Sequence, residues 1–365
     1  MQNDRRLRLE SDDVTAFRCE DLVSDLAGLD GPVDEKGAWS DRLWQVLERH
    51  GATGWALPET SGDVAGDRPG LIGRYAEVAR GSLTAAFILT QRDAAVRRLV
   101  AAGDRGRAAE WLGRVAQGST FPTVGLSQLT TSRRHGAQAL VAVEEGSGYR
   151  LDGLMPWVTA AARADLFVAG AALADGRQLL VALPRVREGL RVGPPMSLAA
   201  LQASCTGEVA CQGVRVEPED VLEGPVVDVL VASGTSGTGG LETSSLAMGL
   251  AAAALGALEA QVQGRPDLVE VFEALATEWS RLAQDLMAAA EGRPDAPSSG
   301  STRAGANAHV LRATQAYLTA RKGSGFLRDD PAQRWARQAL FFLVWSCPAP
   351  VAQASMRELA GICSF

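Results

Sequence analysis

The chain has 365 residues, 46% of them hydrophobic and 22% charged, with a formal net charge of −7. That is the profile of a globular chain with a substantial core and two or three domains. The acidic balance excludes a nucleic-acid partner, which needs a concentrated basic surface. The tightest basic group, Arg133, Arg134 and His135, is long enough to meet one phosphate.

Residues 1–118 read as a helical domain. Trp39, Leu43, Trp44 and Leu47 adjoin on one apolar face with charges between them. A loop over residues 61–70 ends in Pro-Gly, and two further helices follow, broken near Gly81. Gln91 and Arg92 come after the apolar run AAFILT and are expected at a helix end facing solvent, the alternative being a cavity wall.

From residue 119 to 230 the period shortens to that of strands. The runs ALVAVEE, YRLDGL, DLFVAGAAL, QLLVALP and GEVACQGVRVEP are separated by GSG, ADG and PP turn signals. This is expected to be a β-domain built largely of hairpins. No GxGxxG follows a strand, so a dinucleotide-binding doubly wound domain is not expected.

Residues 231–365 return to helix. Leu246, Leu250, Ala253, Ala254, Ala257 and Leu258 form a small-residue stripe suited to close helix packing. The segment GRPDAPSSGST, residues 292–302, is the stretch most prone to disorder. Beyond it Val310, Thr314, Tyr317 and Leu318 repeat at helical spacing, glycines 323 and 325 stop the helix and Pro331 starts another. The fold class is α+β, ordered as helices, β-domain, helical bundle.

Five cysteines without a CxxC pair suit free thiols in a reducing, cytoplasmic setting. The N-terminal arginines have no apolar segment behind them, so no secretory signal is expected. The alanine-rich run 246–258 is too short and too weakly apolar for a membrane span. The three histidines lack metal-site spacing, and no metal is expected.

The most informative stretch is YRLDGLMPWVTAAARAD, residues 149–165. Residues two apart on a strand share a face, so Trp157 and Thr159 can offer a flat wall and a hydroxyl to one ligand. An ordinary buried Trp–x–Thr pair of a sheet has the same pattern. This stretch resembles the flavin-contacting segment of the acyl-CoA dehydrogenase family. Residues 202–224, QASCTGEVACQGVRVEPEDVLEG, are similar to that family's following strand pair. GSGFLRDDPAQRWAR, residues 323–337, is similar to its glycine turn and proline-initiated helix.

The resemblance implies an acyl-CoA dehydrogenase-like fold, FAD as cofactor, and an acyl-CoA or similar small molecule as substrate. It also implies a homodimer or homotetramer through the C-terminal helices, and an electron-transfer partner or flavin reductase. Trp157 and Thr159 match the family's ring-wall tryptophan and flavin-bonding hydroxyl, and Thr130 its pyrimidine-edge threonine. Ser132 lies where the family has its pyrophosphate donors, here replaced by TTSRRHG; the neighbouring arginines would bind a pyrophosphate or lie in a wet loop. Arg265 stands in the region of the motif that reaches a neighbouring subunit's cofactor, without that motif's Phe-Gly.

The family's usual catalytic glutamate is replaced by Ser346, a poor base near neutral pH. A minority of the family carries that glutamate in a leucine–Glu pair seven residues before a helix glycine. Leu241 and Glu242 stand in that relation to Gly249, with Thr243 in place of the family's arginine. Glu242 is therefore the candidate base, or a solvated residue at a helix start. Three readings follow: a CH–CH dehydrogenase of acyl thioesters, a flavin-dependent monooxygenase that needs no such base, and a non-catalytic binding or scaffold protein on the same fold.

Overall fold

The computed structural model describes residues 20–58, 68–130, 140–233, 240–345 and 347–362. Among the described residues five helices come first: α1 (Glu20–Lys36), α2 (Asp41–Arg49), α3 (Arg68–Gly81), α4 (Leu83–Ala102) and α5 (Ala108–Ala116). Ser40 and Ser82 cap α2 and α4, each side chain accepting from a backbone N–H three residues on. α4 is the central helix. Its Phe87 packs towards the helical core, Ile88 towards one face of the sheet and Val96 and Leu99 towards the other. Gln91 and Arg92 thus sit in mid-helix, and Arg92 is only 4% exposed. The solvent-facing helix end expected there does not exist, because AAVRRLV continues the helix under the sheet.

Eight strands follow among the described residues: β1 (Pro122–Gly125), β2 (Val141–Glu145), β3 (Gly148–Val158), β4 (Leu166–Ala172), β5 (Gln178–Pro184), β6 (Leu190–Pro195), β7 (Gly207–Val216) and β8 (Val221–Val226). They pair in the order β6-β7-β3-β2-β4-β5-β8, with β1 against β4. The β2–β3, β3–β7, β4–β5, β5–β8 and β6–β7 pairs are antiparallel, whereas β1 and β2 each run parallel to β4. β4 and β5 are buried on both faces. Phe167, Ala169, Leu179 and Val181 face one core, while Leu166, Val168, Leu180 and Ala182 face the core shared with α4 and α5. That explains their unbroken apolar runs.

The C-terminal part comprises α6 (Val229–Ala232), α7 (Leu241–Val262), α8 (Val269–Ala290), α9 (Ser299–Arg321), α10 (Pro331–Ala339), α11 (Phe341–Val344) and α12 (Ala349–Leu359). α7 is long and apolar enough to cross a membrane by length and composition, yet its apolar residues are taken up by α3, α8 and α9. A Cβ at Gly249 would lie 2.1 Å from the Ala76 carbonyl oxygen, so only glycine permits the close α3–α7 crossing. The segment expected to be disordered is partly helix: residues 299–302 form the first turn of α9, capped by Ser298. A serine-rich helix start has the same composition as a linker, and the cap decides between them. Asp330 caps α10 ahead of Pro331. The two helical parts are joined by the buried pair Asp30–Arg334, at 2.8 Å, and by Asp34–Arg337. Burial pushes the Asp30 carboxyl upward, against the pull of Arg334.

Candidate functional site

The C-terminal end of β3 meets α4 and α11 in a group of aromatic rings. Trp157, the penultimate residue of β3, is 42% exposed, an uncommon state for an indole within a sheet. Trp345 stands edge-on to it with ring centres 6.5 Å apart and stacks on Phe341 at 5.5 Å. Phe87 of α4 meets Trp345 edge-on at 4.7 Å and Phe341 at 4.9 Å. Offset and edge-on contacts of this kind hold rings rigidly.

Arg303 of α9 fixes the Trp345 segment from behind. Its Nη2 donates to the Trp345 carbonyl at 3.0 Å and its Nε to Asn307 Oδ1 at 2.9 Å, while Asn307 Nδ2 donates to the Phe342 carbonyl at 2.8 Å. Arg303 is 1% exposed and has no carboxylate partner among the described residues; burial brings its pKa down to about 10.

Thr159 behaves differently from the strand expectation. β3 ends at Val158, and Ala160 has a positive φ of 55°, so the chain turns at Thr159. Thr159 is 1% exposed while Trp157 is open, and the two do not form one equally accessible face. The Thr159 carbonyl accepts from Thr123 Oγ1 of β1 at 2.9 Å, whereas its own Oγ1 has no partner among the described residues. The Ser127 hydroxyl and Gln128 Oε1, in the turn after β1, are likewise buried and unpartnered. Gln128 is held in place because its Nε2 donates to the carbonyls of Gly125 and Gly170, each at 2.7 Å. Ser127 and Gln128 did not stand out in the sequence, where TTSRRHG drew attention instead.

The remaining expected site residues lie in other settings. Thr130 Oγ1 donates to the Ser127 carbonyl at 3.2 Å and so closes the turn after β1. Ser132 and Ser346 fall outside the described residues. Arg265 precedes α8 and is engaged by Asp267 through two bonds of 2.8 and 2.6 Å, an exposed local pair rather than an open cation.

Glu242 lies in the first turn of α7, 16% exposed, with Arg97 Nη2 3.2 Å from its carboxylate. Arg97 stands ten residues beyond Phe87 on α4, roughly 15 Å along the axis. Its Nη1 donates to the Tyr75 hydroxyl at 3.3 Å, and Tyr75 donates to Asp93 at 2.8 Å. Asp93 also accepts from Arg92 at 2.7 Å. Burial raises the Asp93 carboxyl and, with the Asp93 charge, lifts Tyr75 well above its ordinary value; burial next to Arg97 brings Arg98 down to about 9. Glu242 thus belongs to a charge network across α3, α4 and α7, half-buried at Glu242 and Arg97 and fully buried at Tyr75, Arg92 and Asp93. Nothing in the sequence links Arg97 to a carboxylate 145 positions later.

No family model matches the chain. It is 22% identical over 327 residues to a probable acyl-CoA dehydrogenase, YngJ, of Bacillus subtilis, covering 84% of this chain and 86% of that protein. Its fold is similar to that of butyryl-CoA dehydrogenase from Megasphaera elsdenii, with a TM-score of 0.78 at 19% identity over 96% of this chain and 100% of that one. It is also similar to KijD3, solved with FMN and a dTDP-linked amino-keto sugar, with a TM-score of 0.75 at 17% identity over 98% and 96% of the two chains. The chain has the acyl-CoA dehydrogenase-like fold: N-terminal helices, a central mixed β-sheet and a C-terminal helical bundle.

Proposed function

We propose that the protein is a flavin-dependent oxidoreductase whose cofactor ring lies against Trp157. The observation that carries this reading is the exposed indole at the end of β3, together with the buried hydroxyls of Thr159 and of Ser127, which have no partner among the described residues. A flat heteroaromatic ring with nitrogen and oxygen atoms at its edge satisfies both: it covers an exposed aromatic face and gives those hydroxyls acceptors. Trp157, Thr159 and Ser127 would hold the ring. When bound, a flavin supplies two-electron transfer between a substrate and a second acceptor. The sequence resemblance favours FAD over FMN.

The reaction class turns on the base. Dehydrogenation of an acyl thioester needs a carboxylate free to take the α-proton. Ser346 is not one, and the Glu242 carboxylate is engaged by Arg97. This supports a reaction in which no side-chain carboxylate removes a carbon-bound proton, as in an oxygen-dependent flavoenzyme served by a separate reductase. Its substrate would meet the partly exposed rings of Trp345 and Phe341, which the buried Phe87 backs. The acyl-CoA dehydrogenase reading keeps one observation in its favour: Glu242 stands at a helix entry seven residues before Gly249.

The test is an anaerobic titration of the flavin-loaded protein with acyl-CoAs of several lengths. The flavin is expected to stay oxidised, and to react with oxygen once reduced chemically. Bleaching by an acyl-CoA that is lost in Glu242→Gln would reverse the choice and make Glu242 the base. Failure to take up any flavin would leave the non-catalytic reading.

A further inference from the structure

A second cavity, of about 730 Å³, opens between α2, α3, α4 and the sheet. It lies on a different side of α4 from the aromatic group: Arg92, which lines it, follows Phe87 by five residues, which on a helix is a rotation of about 140°. Trp55 and Phe121 are buried walls of this cavity and Trp44 a half-buried one. The Trp44 and Phe121 rings meet edge-on with centres 4.9 Å apart, which fixes both. The volume lies within the range of small-molecule sites.

The charges divide between wall and mouth. Arg92 is 4% exposed and neutralised by Asp93, which accepts from its Nη1 at 2.7 Å. Arg74 is engaged as well and lies over the Trp55 ring at 5.6 Å, and His50 is held by Asp25 at 3.0 Å. Three charged residues of the lining are exposed and so stand at the opening: Arg163, Asp165 and Glu48. The first two flank Phe121. The Arg163 guanidinium lies 5.8 Å from its ring centre, and one Asp165 carboxylate oxygen accepts from its backbone N–H at 2.8 Å. Arg163 is paired with neither acid, and neither its guanidinium nor the Glu48 carboxylate has a hydrogen bond or ion pair among the described residues. One cation and two acids leave the mouth no surplus of positive charge. A ligand that is only an anion would face two carboxylates, and one that is only a cation would face the guanidinium. A head group carrying both charges on neighbouring atoms suits the mouth, its carboxylate on Arg163 and its ammonium on Asp165 and Glu48. An aromatic ring behind such a head group would cover the half-buried indole of Trp44.

We propose that this cavity binds an aromatic α-amino acid as its zwitterion, ring inward and head group at the mouth, independently of the flavin reading. The test measures heat of binding to the full-length protein with L-phenylalanine and three fragments of it: phenethylamine, which lacks the carboxylate, hydrocinnamate, which lacks the ammonium, and L-alanine, which lacks the ring. Phenylalanine should bind saturably and each fragment about tenfold or more weaker, because each loses one charge-assisted contact or the ring contact. Two variants at exposed positions then separate the charges. Arg163→Ala should weaken phenylalanine by about tenfold without weakening phenethylamine. Asp165→Asn, whose side-chain oxygen can still accept from the Phe121 N–H, should weaken phenylalanine without weakening hydrocinnamate. Prior loading with flavin should leave the affinity unchanged. Absence of saturable phenylalanine binding overturns the proposal. So does any fragment that binds as tightly as phenylalanine, an affinity indifferent to both variants, or displacement of phenylalanine by flavin.

Discussion

Replacing Arg97 with methionine is the sharpest probe of the network that engages Glu242. The change removes the partner 3.2 Å from the Glu242 carboxylate and the donor 3.3 Å from the Tyr75 hydroxyl. Breaking a fully buried ion pair from one side costs about 3–5 kcal/mol, while exposed pairs contribute about 0–1 kcal/mol. The two side chains are 27% and 16% exposed, between those limits, so Arg97→Met should destabilise the protein by roughly 2 kcal/mol. Arg97→Met combined with Glu242→Gln removes the stranded charge and should recover about 1 kcal/mol of that loss. The assay is the chemical-denaturation midpoint of wild type, both single variants and the double variant, read as a cycle. A single variant as stable as wild type, or a double variant as unstable as the sum of the singles, would refute the coupling. The same Arg97→Met protein, loaded with flavin, should show whether a released Glu242 supports bleaching by acyl-CoA.

Further outcomes are expected elsewhere. Glu278 is held down to about 2, first by its bond to His309 and also by Arg312, so its contribution is present above its unfolded value near 4.5 and lost as pH falls towards 2. The stability gap between wild type and Glu278→Gln should therefore be full at pH 6 and shrink steadily below about pH 4.5; a gap independent of pH would contradict it. Gly249→Ala should cost about 1–3 kcal/mol, since the new Cβ would meet the Ala76 carbonyl at 2.1 Å, and a neutral thermal scan would mean that α3 and α7 can part freely. Light scattering should give a homodimer or homotetramer, because α8, α12 and the chain after it present exposed Val271, Met356, Leu359 and Ile362; a monomer at micromolar concentration would count against assembly through this face.

The layer order was legible because the apolar period changes from helical to strand-like and back, and because Pro331 and the glycines before it punctuate the C-terminal helices. The motif singled out Trp157, whose indole lies exposed at the end of β3. The separate setting of Thr159 was not, since it depends on where β3 ends and on the left-handed turn at Ala160. Gln91 and Arg92 read as a solvent-facing helix end, because charge spacing alone does not reveal a helix enclosed by a sheet on one side and helices on the other. The burial of Arg92 is sustained by a partner distant in the chain, Tyr75 on α3, which donates to the Asp93 that binds Arg92. The hydroxyl at Ser127 was hidden for a related reason. Its burial depends on the short turn after β1 rather than on the polar run that follows.

Titration of the purified protein with flavin, in wild type and in Trp157→Ala, tests the assignment of the ring site most directly. Wild type should perturb the flavin spectrum and quench its emission saturably. Removing the indole should weaken binding by about 1 kcal/mol beyond lost contact area, a factor of roughly five. No affinity at high micromolar flavin, or equal affinity in the two proteins, would contradict a flavin ring lying on Trp157.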